Sequence, residues 1–271
     1  ELLGTDIVDG GEGTDTIETM DASTIVDADF ANMTSVETLV MDAGNAHTLT
    51  LGAASLAAGI ATVTATGAGA NNITVGAGHA GSLTITSGTA GDTFTMSGVA
   101  AGNTMTVAGG GGADGYTLGA GNENITGGAA ADTLTVGSAT YLSATDIANG
   151  AGGTDIVNFS AAMTVTDAMF SGLSNFENVT MGNNNMTITA GAQANEAGIV
   201  SIVTGNATNT VDASGMSSNM TLTGGTGADT IHSGGGNDTI NTSTGADIVK
   251  LQASASANGT DVFANTFTLT A

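Results

Sequence analysis

Three aspartates recur every nine residues near the end of the sequence, at Asp229, Asp238 and Asp247. Each lies sixth in a nine-residue unit that begins with small residues and has an aliphatic residue at its eighth position. Carboxylate and backbone carbonyl oxygens, without sulfur or imidazole, are the ligands that hard cations such as Ca²⁺ prefer. The spacing therefore predicts a coil that repeats along the chain and binds calcium rather than zinc.

The rest of each unit indicates how the aspartate is positioned. Glycines at the start of the unit suit a tight turn with positive φ. The last three residues are expected to form a short strand whose middle residue points its apolar side chain inward. The aspartate lies where the turn straightens into this strand, and we expect its carboxylate to point at carbonyl oxygens of neighbouring turns.

This pattern resembles the RTX family, whose G-G-x-G-x-D nonapeptides form a calcium-binding parallel β-helix. The resemblance implies an all-β fold: a right-handed parallel β-solenoid (β-roll or β-helix) with glycine-rich calcium-binding turns and short helical insertions. Two nonapeptides would form one coil, with Ca²⁺ as the cofactor between loops on the same side. Asp229 and Asp247 would then lie on one edge of the roll and Asp238 on the other.

The same unit occurs in two further blocks. Residues 10–18 fit every position, and Asp6 precedes Asp15 by nine residues. Residues 109–135 contain another block, in which Glu123 replaces the aspartate of the middle unit. The residues predicted to bind metal in these and related turns are Asp6, Gly10, Glu12, Asp15, Asp92, Gly109, Gly111, Asp114, Glu123, Asp132, Asp155, Gly224, Thr226, Asp229, Gly234, Gly236, Asp238, Thr244 and Asp247.

The calcium blocks belong to a longer repeat. The pattern of the segment 13–41 recurs in the segment 153–181, 140 positions later. Repeats of this kind stack into solenoids, where each coil buries itself against its neighbours. The predicted parts of one continuous solenoid are a first repeat at 1–148 with calcium blocks at 1–18 and 109–135, a second repeat at 149–258 with a block at 224–250, and the start of a further repeat or the C-terminal end at 259–271.

Between the calcium blocks, threonine alternates with aliphatic residues, for example in Thr48–Leu51 and Leu83–Thr86. Alternation of β-branched residues with period two, interrupted by Gly and Ala, predicts short half-buried strands. Insertions into the coils are expected within 21–41 and 161–181, either as extra coil or as a short helical turn, and 53–60 is a second candidate for a short helix. In these insertions we expect burial of Phe30 and Phe170 and solvation of Asp27 and Asp167.

The charge of the chain limits its partners. There are 25 acidic residues against a single Lys or Arg, giving a formal net charge of −24. Self-repulsion on this scale opposes compaction unless counter-ions neutralise it. Nucleic acid is excluded as a partner because phosphate contacts need Lys or Arg. No apolar run reaches the roughly 18 residues of a membrane span, so direct membrane insertion is not expected.

The sequence also bears on the location of the protein. The absence of cysteine is compatible with an exported protein that metal stabilises in place of disulfides. The chain lacks an N-terminal signal peptide and starts inside a repeat, so we expect a fragment or processed product of a longer protein. RTX-like proteins typically leave the cell by type I secretion with a C-terminal signal, for which residues 267–271 are the candidate. The resemblance thus implies a secreted protein, extracellular or at the cell surface.

The sequence lacks the common catalytic motifs. There is no G-x-S-x-G elbow, no H-E-x-x-H and no phosphate-binding loop. His47, His79 and His232 are isolated in the sequence, which is more typical of structural or surface histidines than of catalytic ones. We therefore expect that the chain is not an enzyme.

Among RTX-like proteins, the long repeat with few charges other than aspartate is most similar to bacterial surface-layer proteins. This implies a calcium-dependent extracellular structural protein that self-assembles into a surface layer, sheath or filament. Its partner would be another copy, joined through uncapped solenoid ends or by calcium between acidic surfaces. A cell-surface polysaccharide would anchor the assembly outside this segment.

Two alternative functions stay open at this point. The first is a rigid, calcium-stabilised spacer of a type I secreted RTX adhesin. The second is the secretion module of an RTX enzyme. The 140-residue repeat argues against the second alternative, because a secretion module normally needs only one nonapeptide block.

Calcium is expected to couple to folding, because stacked carboxylates repel one another when no metal is bound. A circular dichroism titration should therefore show β-structure that increases from chelator to millimolar calcium. An equal β signal in both conditions would contradict the predicted calcium sites.

Overall fold

The structure, a computed structural model, describes residues 2–251 and 261–263. The fold is an all-β parallel β-solenoid with very little helix, as the sequence predicted. The predicted secretion signal at 267–271 and most of the predicted repeat at 259–271 lie outside the described residues.

The chain divides into two compact units. Within the described residues, unit 1 comprises 2–135 and 145–154, and unit 2 comprises 136–144, 155–251 and 261–263. The single continuous solenoid expected from the sequence stays a prediction.

Unit 1 consists mainly of two parallel sheets. From β5 to β15 successive strands alternate between the sheets, which is the topology of a coil with two strands per turn. The orders are β2-β5-β7-β9-β11-β13-β15 and β3-β6-β8-β10-β12-β14, and β1 pairs with β4 separately. The strands are β1 (Val8–Asp9), β2 (Thr16–Glu18), β3 (Thr24–Ile25), β4 (Met33–Thr34), β5 (Thr38–Val40), β6 (Thr48–Leu51), β7 (Thr62–Ala65), β8 (Asn72–Val75), β9 (Leu83–Ser87), β10 (Thr93–Thr95), β11 (Thr104–Gly110), β12 (Gly115–Thr117), β13 (Asn122–Gly128), β14 (Thr133–Val136) and β15 (Ile147–Ala151).

Unit 2 repeats this arrangement. Its strands from β19 to β27 also alternate between two parallel sheets, ordered β16-β19-β21-β23-β25-β27 and β17-β20-β22-β24-β26. The strands are β16 (Ile156–Phe159), β17 (Thr164–Val165), β18 (Leu173–Ser174), β19 (Asn178–Met181), β20 (Thr187–Thr189), β21 (Ser201–Val203), β22 (Thr210–Asp212), β23 (Thr221–Thr223), β24 (Thr230–His232), β25 (Thr239–Asn241), β26 (Ile248–Lys250) and β27 (Val262–Phe263).

The alternating threonines explain both the strands and their register. Leu49 of β6 lies opposite Ile73 of β8, which lies opposite Phe94 of β10, and all three are buried. Because side chains alternate across a strand, the flanking threonines point away from this core. A shift by one residue would exchange the two sets, so the pattern specifies the register.

The helical insertions occur in both units. A 3₁₀ turn at Asp27–Phe30 precedes helix α1 (Ala53–Ala58), and a 3₁₀ turn at Asp167–Phe170 precedes helix α2 (Ala192–Ala197). Phe30 and Phe170 are buried, as predicted.

The prediction that Asp27 and Asp167 are merely solvated is wrong, because each accepts hydrogen bonds from a helix N-terminus. Asp27 accepts the N–H groups of Ala54 and Ser55 at 3.0 and 2.8 Å. Asp167 accepts three N–H groups at the start of α2, including that of Gly191 at 2.7 Å. The helices have glycine at the N-cap, so these carboxylates supply the cap from another coil.

One buried histidine differs between the two units. His79 is 1% exposed, and neither ring nitrogen has a hydrogen-bond partner. It follows Gly78, which lies against the start of α1; Met216 likewise follows Gly215, which lies against the start of α2. Met216 is buried too, so the second unit has an apolar residue where the first has an imidazole.

We expect His79→Met to stabilise the protein by about 1 kcal/mol or more, because it removes an unsatisfied buried polar group. Burial lowers the pKa of His79, and Asp27 only partly offsets this effect. Below the unfolded pKa of about 6.5 the unfolded chain binds a proton that the folded one does not. The stability difference between variant and parent should therefore grow as pH falls below this value, in urea unfolding; a constant difference would contradict a neutral buried imidazole.

Candidate metal centre

A row of hydrogen-bonded side chains, one asparagine and three aspartates, lies directly before consecutive strands in one sheet of unit 1. The N–H of Asp92 donates to Oδ1 of Asp114, and the N–H of Asp114 donates to Oδ1 of Asp132, both at 2.7 Å. The N–H of Asn71 donates to Oδ1 of Asp92 at 2.6 Å. We call Asn71, Asp92, Asp114 and Asp132 ladder A; all four residues are buried.

Strand register produces this ladder. Each ladder residue directly precedes one of β8, β10, β12 and β14, which pair in parallel so that equivalent residues lie side by side. At this inner corner the buried N–H needs an acceptor, and the carboxylate of the next coil provides it. One oxygen of each aspartate thus faces an amide, rather than the turn carbonyls expected from the sequence.

Unit 2 contains the corresponding ladder B, formed by Asn209, Asp229 and Asp247. The N–H of Asn209 donates to Asp229, and that of Asp229 donates to Asp247, each at 2.9 Å. Asp238 lies apart from them, before β25 in the other sheet, and its Oδ1 accepts the N–H of Met220 at 2.9 Å. The structure therefore places Asp229 and Asp247 together and Asp238 elsewhere, as the resemblance implied.

The first glycine of the nonapeptide is required by the aspartate that follows it. A Cβ atom at Gly224 would lie 2.8 Å from Oδ2 of Asp229, and one at Gly109 would overlap with Oδ2 of Asp114. The carboxylate therefore folds back over a bare Cα. The residue equivalent to this glycine is Ser87 in the turn of Asp92. The Ser87 hydroxyl donates a hydrogen bond to Oδ2 of Asp92, so this oxygen is less available to bind a cation.

Three acids that the sequence analysis did not assign to the site complete the pattern. Glu37 accepts the N–H of Asp15 at 2.9 Å, and Glu177 accepts that of Asp155 at 2.7 Å. Asp146 accepts the N–H of Glu123 at 2.9 Å. These three acids lie outside the nonapeptides; the available signal was an acid directly before an alternating strand.

The remaining predicted ligands are less well placed. Asp6 lies in a local turn, in which it exchanges hydrogen bonds with Leu3. Gly236 adopts the predicted positive φ, at 98°. Among the turn residues, Gly109, Gly224 and Gly234 are buried, Gly10 and Gly236 are half-buried, and Glu12, Gly111, Thr226 and Thr244 are exposed.

Two of the three histidines pair with an aspartate, which fits the structural or surface role expected from the sequence. Nε2 of His47 lies 3.0 Å from Oδ1 of Asp42, and Nδ1 of His232 lies 3.4 Å from Oδ1 of Asp212. Both pairs lie outside the two ladders and join side chains at strand ends, so they contribute to structure rather than to the metal site.

Electrostatics indicate that the buried acids need a counter-ion. Burial raises the pKa of Glu123 to about 8, and contact with Asp146 adds to the rise. Burial, with the neighbouring charge of Asp92, raises the pKa of Asp114 to about 6. One carboxylate oxygen in each of Asp15, Glu123 and Asp238 is buried without a hydrogen-bond partner.

These orphaned oxygens fit a hard cation. Within the described residues, no three His, Cys, Asp or Glu side chains converge on one point. A cation here would therefore need backbone carbonyl oxygens in addition to carboxylates. An oxygen-only ligand set suits Ca²⁺, which accepts six to eight oxygens in flexible geometry, so the residues present fit calcium.

In chelator, the stability of the protein should fall as pH rises from about 4.5 to about 8. Across this range the folded protein keeps the proton on Glu123 that the unfolded chain has released, so deprotonation favours unfolding. The loss should exceed about 1 kcal/mol in thermal unfolding followed by circular dichroism. The His79→Met background removes the opposing histidine effect, and stability that rises with pH in that background without calcium would contradict the assignment.

Comparison with known proteins agrees with the geometry. The model of the RTX calcium-binding nonapeptide repeat matches residues 3–19, 117–139 and 220–249. These segments contain Asp6, Asp15, Glu123, Asp132, Asp229, Asp238 and Asp247. No curated protein and no solved structure matches the chain. No helix in the described part of the chain has the length and hydropathy of a membrane span. The chain therefore contains RTX-type calcium-binding nonapeptide repeats within a parallel β-solenoid.

Proposed function

We propose that the chain is a calcium-dependent extracellular structural protein that assembles with copies of itself into a surface layer, sheath or filament. The observation that carries this proposal is the set of buried carboxylates in a chain with only one Lys or Arg. That residue, Lys250, is exposed, so no protein cation neutralises the buried charge.

Calcium is the proposed counter-ion. Ladders A and B and the orphaned oxygens of Asp15, Glu123 and Asp238 would hold it, together with turn carbonyls. When bound, Ca²⁺ would supply positive charge at the buried acids and so favour the folded coils. Calcium is abundant outside cells, which supports an extracellular location.

Assembly is supported by the edge of unit 1 at β2 and β3. Each of these strands is last in its sheet, so one side of its backbone is unpaired among the described strands. Ile7 and Met20 near this edge are 87% and 79% exposed. A cleft of about 630 Å³ lined by residues 17–25 lies beside them. An open parallel edge with apolar residues fits a strand from a second copy.

We also propose that the chain has no catalytic activity. The buried acids accept backbone N–H groups, and two of the three histidines pair with single aspartates. These contacts support a structural role for these acids and for the two histidines.

A second candidate function is a rigid spacer in an adhesin. The recurrence of the 3₁₀ turn, the helix and the capping aspartate in both units favours it, because tandem modules suit a long stalk. A spacer would remain monomeric at high calcium.

Negative-stain electron microscopy and light scattering should show ordered assemblies in millimolar calcium and their loss in chelator. Met20→Lys, at the open edge, should reduce assembly at least tenfold at equal protein concentration. Val203→Lys, at an exposed position within β21 of unit 2, is the matched control and should assemble normally. Assembly that ignores calcium would contradict the proposal, and soluble monomers in calcium would favour the spacer.

A further inference from the structure

Glu123 and Asp146 form a buried pair of acids in unit 1. Glu123 belongs to β13, and Asp146 directly precedes β15; Asn124 lies opposite Ile147, so the two acids are neighbours in register. The N–H of Glu123 donates to Oδ1 of Asp146 at 2.9 Å, and their carboxylates are in contact. The side chains are 1% and 2% exposed.

In the coils before it, the position of Glu123 is apolar. The two preceding coils hold Leu83 and Met105 there, both buried. Two like charges at such a buried position are strongly destabilising unless something neutralises them. Oε2 of Glu123 is buried and has no hydrogen-bond partner, so it is available to a ligand.

Unit 2 contains an equivalent pair, Asp238 and Asp261, 115 positions later. The N–H of Asp238 donates to Oδ1 of Asp261 at 3.2 Å, and Oδ2 of Asp238 is buried without a partner. Met220 lies in register before Asp238, as Met105 does before Glu123. The arrangement is therefore duplicated, even though Glu replaces Asp in the first copy.

We propose that Glu123 and Asp146 jointly bind one Ca²⁺, and that Asp238 and Asp261 bind another in the same way. This inference rests on the proposed calcium dependence and adds two ligands to it, Asp146 and Asp261. Each pair is separated by 23 residues, whereas two nonapeptides span 18. The closing ligand therefore comes from a coil that is not a nonapeptide, and Asp146 lies outside the matched segments.

Backbone oxygens near Glu123 can complete the site. A Cβ atom at Gly121 would lie 3.2 Å from Oε1 of Glu123 and 3.1 Å from the carbonyl oxygen of Asn103. That Cβ atom would also lie 2.6 Å from Cγ1 of Val99, so glycine at this position lets the carboxylate and the carbonyl oxygen lie close to the same point. Ca²⁺ suits such a mixed, water-poor set, whereas Mg²⁺ keeps several of its waters.

The test is to count tightly bound calcium by equilibrium dialysis on the full chain. Glu123→Gln and Asp146→Asn should each bind one ion fewer than the parent protein. The double variant should also bind only one fewer, because the two residues share that ion. Glu196→Gln, which removes an exposed charge from α2, is the control and should keep the full number.

Glu123→Met guards against a variant that fails to fold, because it copies Met105 of the adjacent coil. It should fold in chelator, as circular dichroism can show, and still lack the one ion. An unchanged count in these variants would overturn the shared site and indicate that the pair shares a proton instead. A loss of two ions in the double variant would also overturn it. A parent protein that binds no calcium at all would overturn the proposed function itself.

Discussion

A buried backbone N–H at the inner corner of each coil must have an acceptor, and in much of this molecule the acceptor is a carboxylate from the next coil. The hydrogen bond joins neighbouring coils at the point where a turn becomes a strand. It also places a negative charge inside the protein. A charge-assisted bond to an amide lowers the cost of that charge without removing it.

Neutralisation of this charge is the constraint that links composition, fold and function. The sequence has a single Lys or Arg, Lys250. Its side chain is exposed, whereas the aspartates of the ladders are buried or half-buried. Only protons or external cations can then balance the ladders. Each ladder ends in an asparagine rather than an acid. Asn71 and Asn209 each accept an N–H group with a neutral side-chain amide, so they add no buried charge.

The two units vary one design at a few positions. An aspartate caps a helix in each unit, Asp27 in unit 1 and Asp167 in unit 2. A glutamate likewise accepts a backbone N–H in each unit, Glu37 in unit 1 and Glu177 in unit 2. The imidazole of His79 and the thioether of Met216 occupy equivalent corners, and only the first lacks hydrogen-bond partners that its chemistry requires. The helix caps and the acceptor glutamates are therefore common to both units, whereas the corner of His79 and Met216 accepts either a polar or an apolar side chain.

The sequence by itself determined the parallel solenoid and the acids of the nonapeptides, because periods of two and nine report directly on strands and coils. It also located the insertions at 21–41, 53–60 and 161–181, but not helix α2. Only the tertiary structure decided what each carboxylate contacts. Asp27 and Asp167 proved to be helix caps, and Glu37, Asp146 and Glu177 joined the acids of the nonapeptides. These partners lie about two strands further along the chain, at separations that vary with the length of each coil. Local spacing therefore cannot reveal them, whereas strand register brings them together.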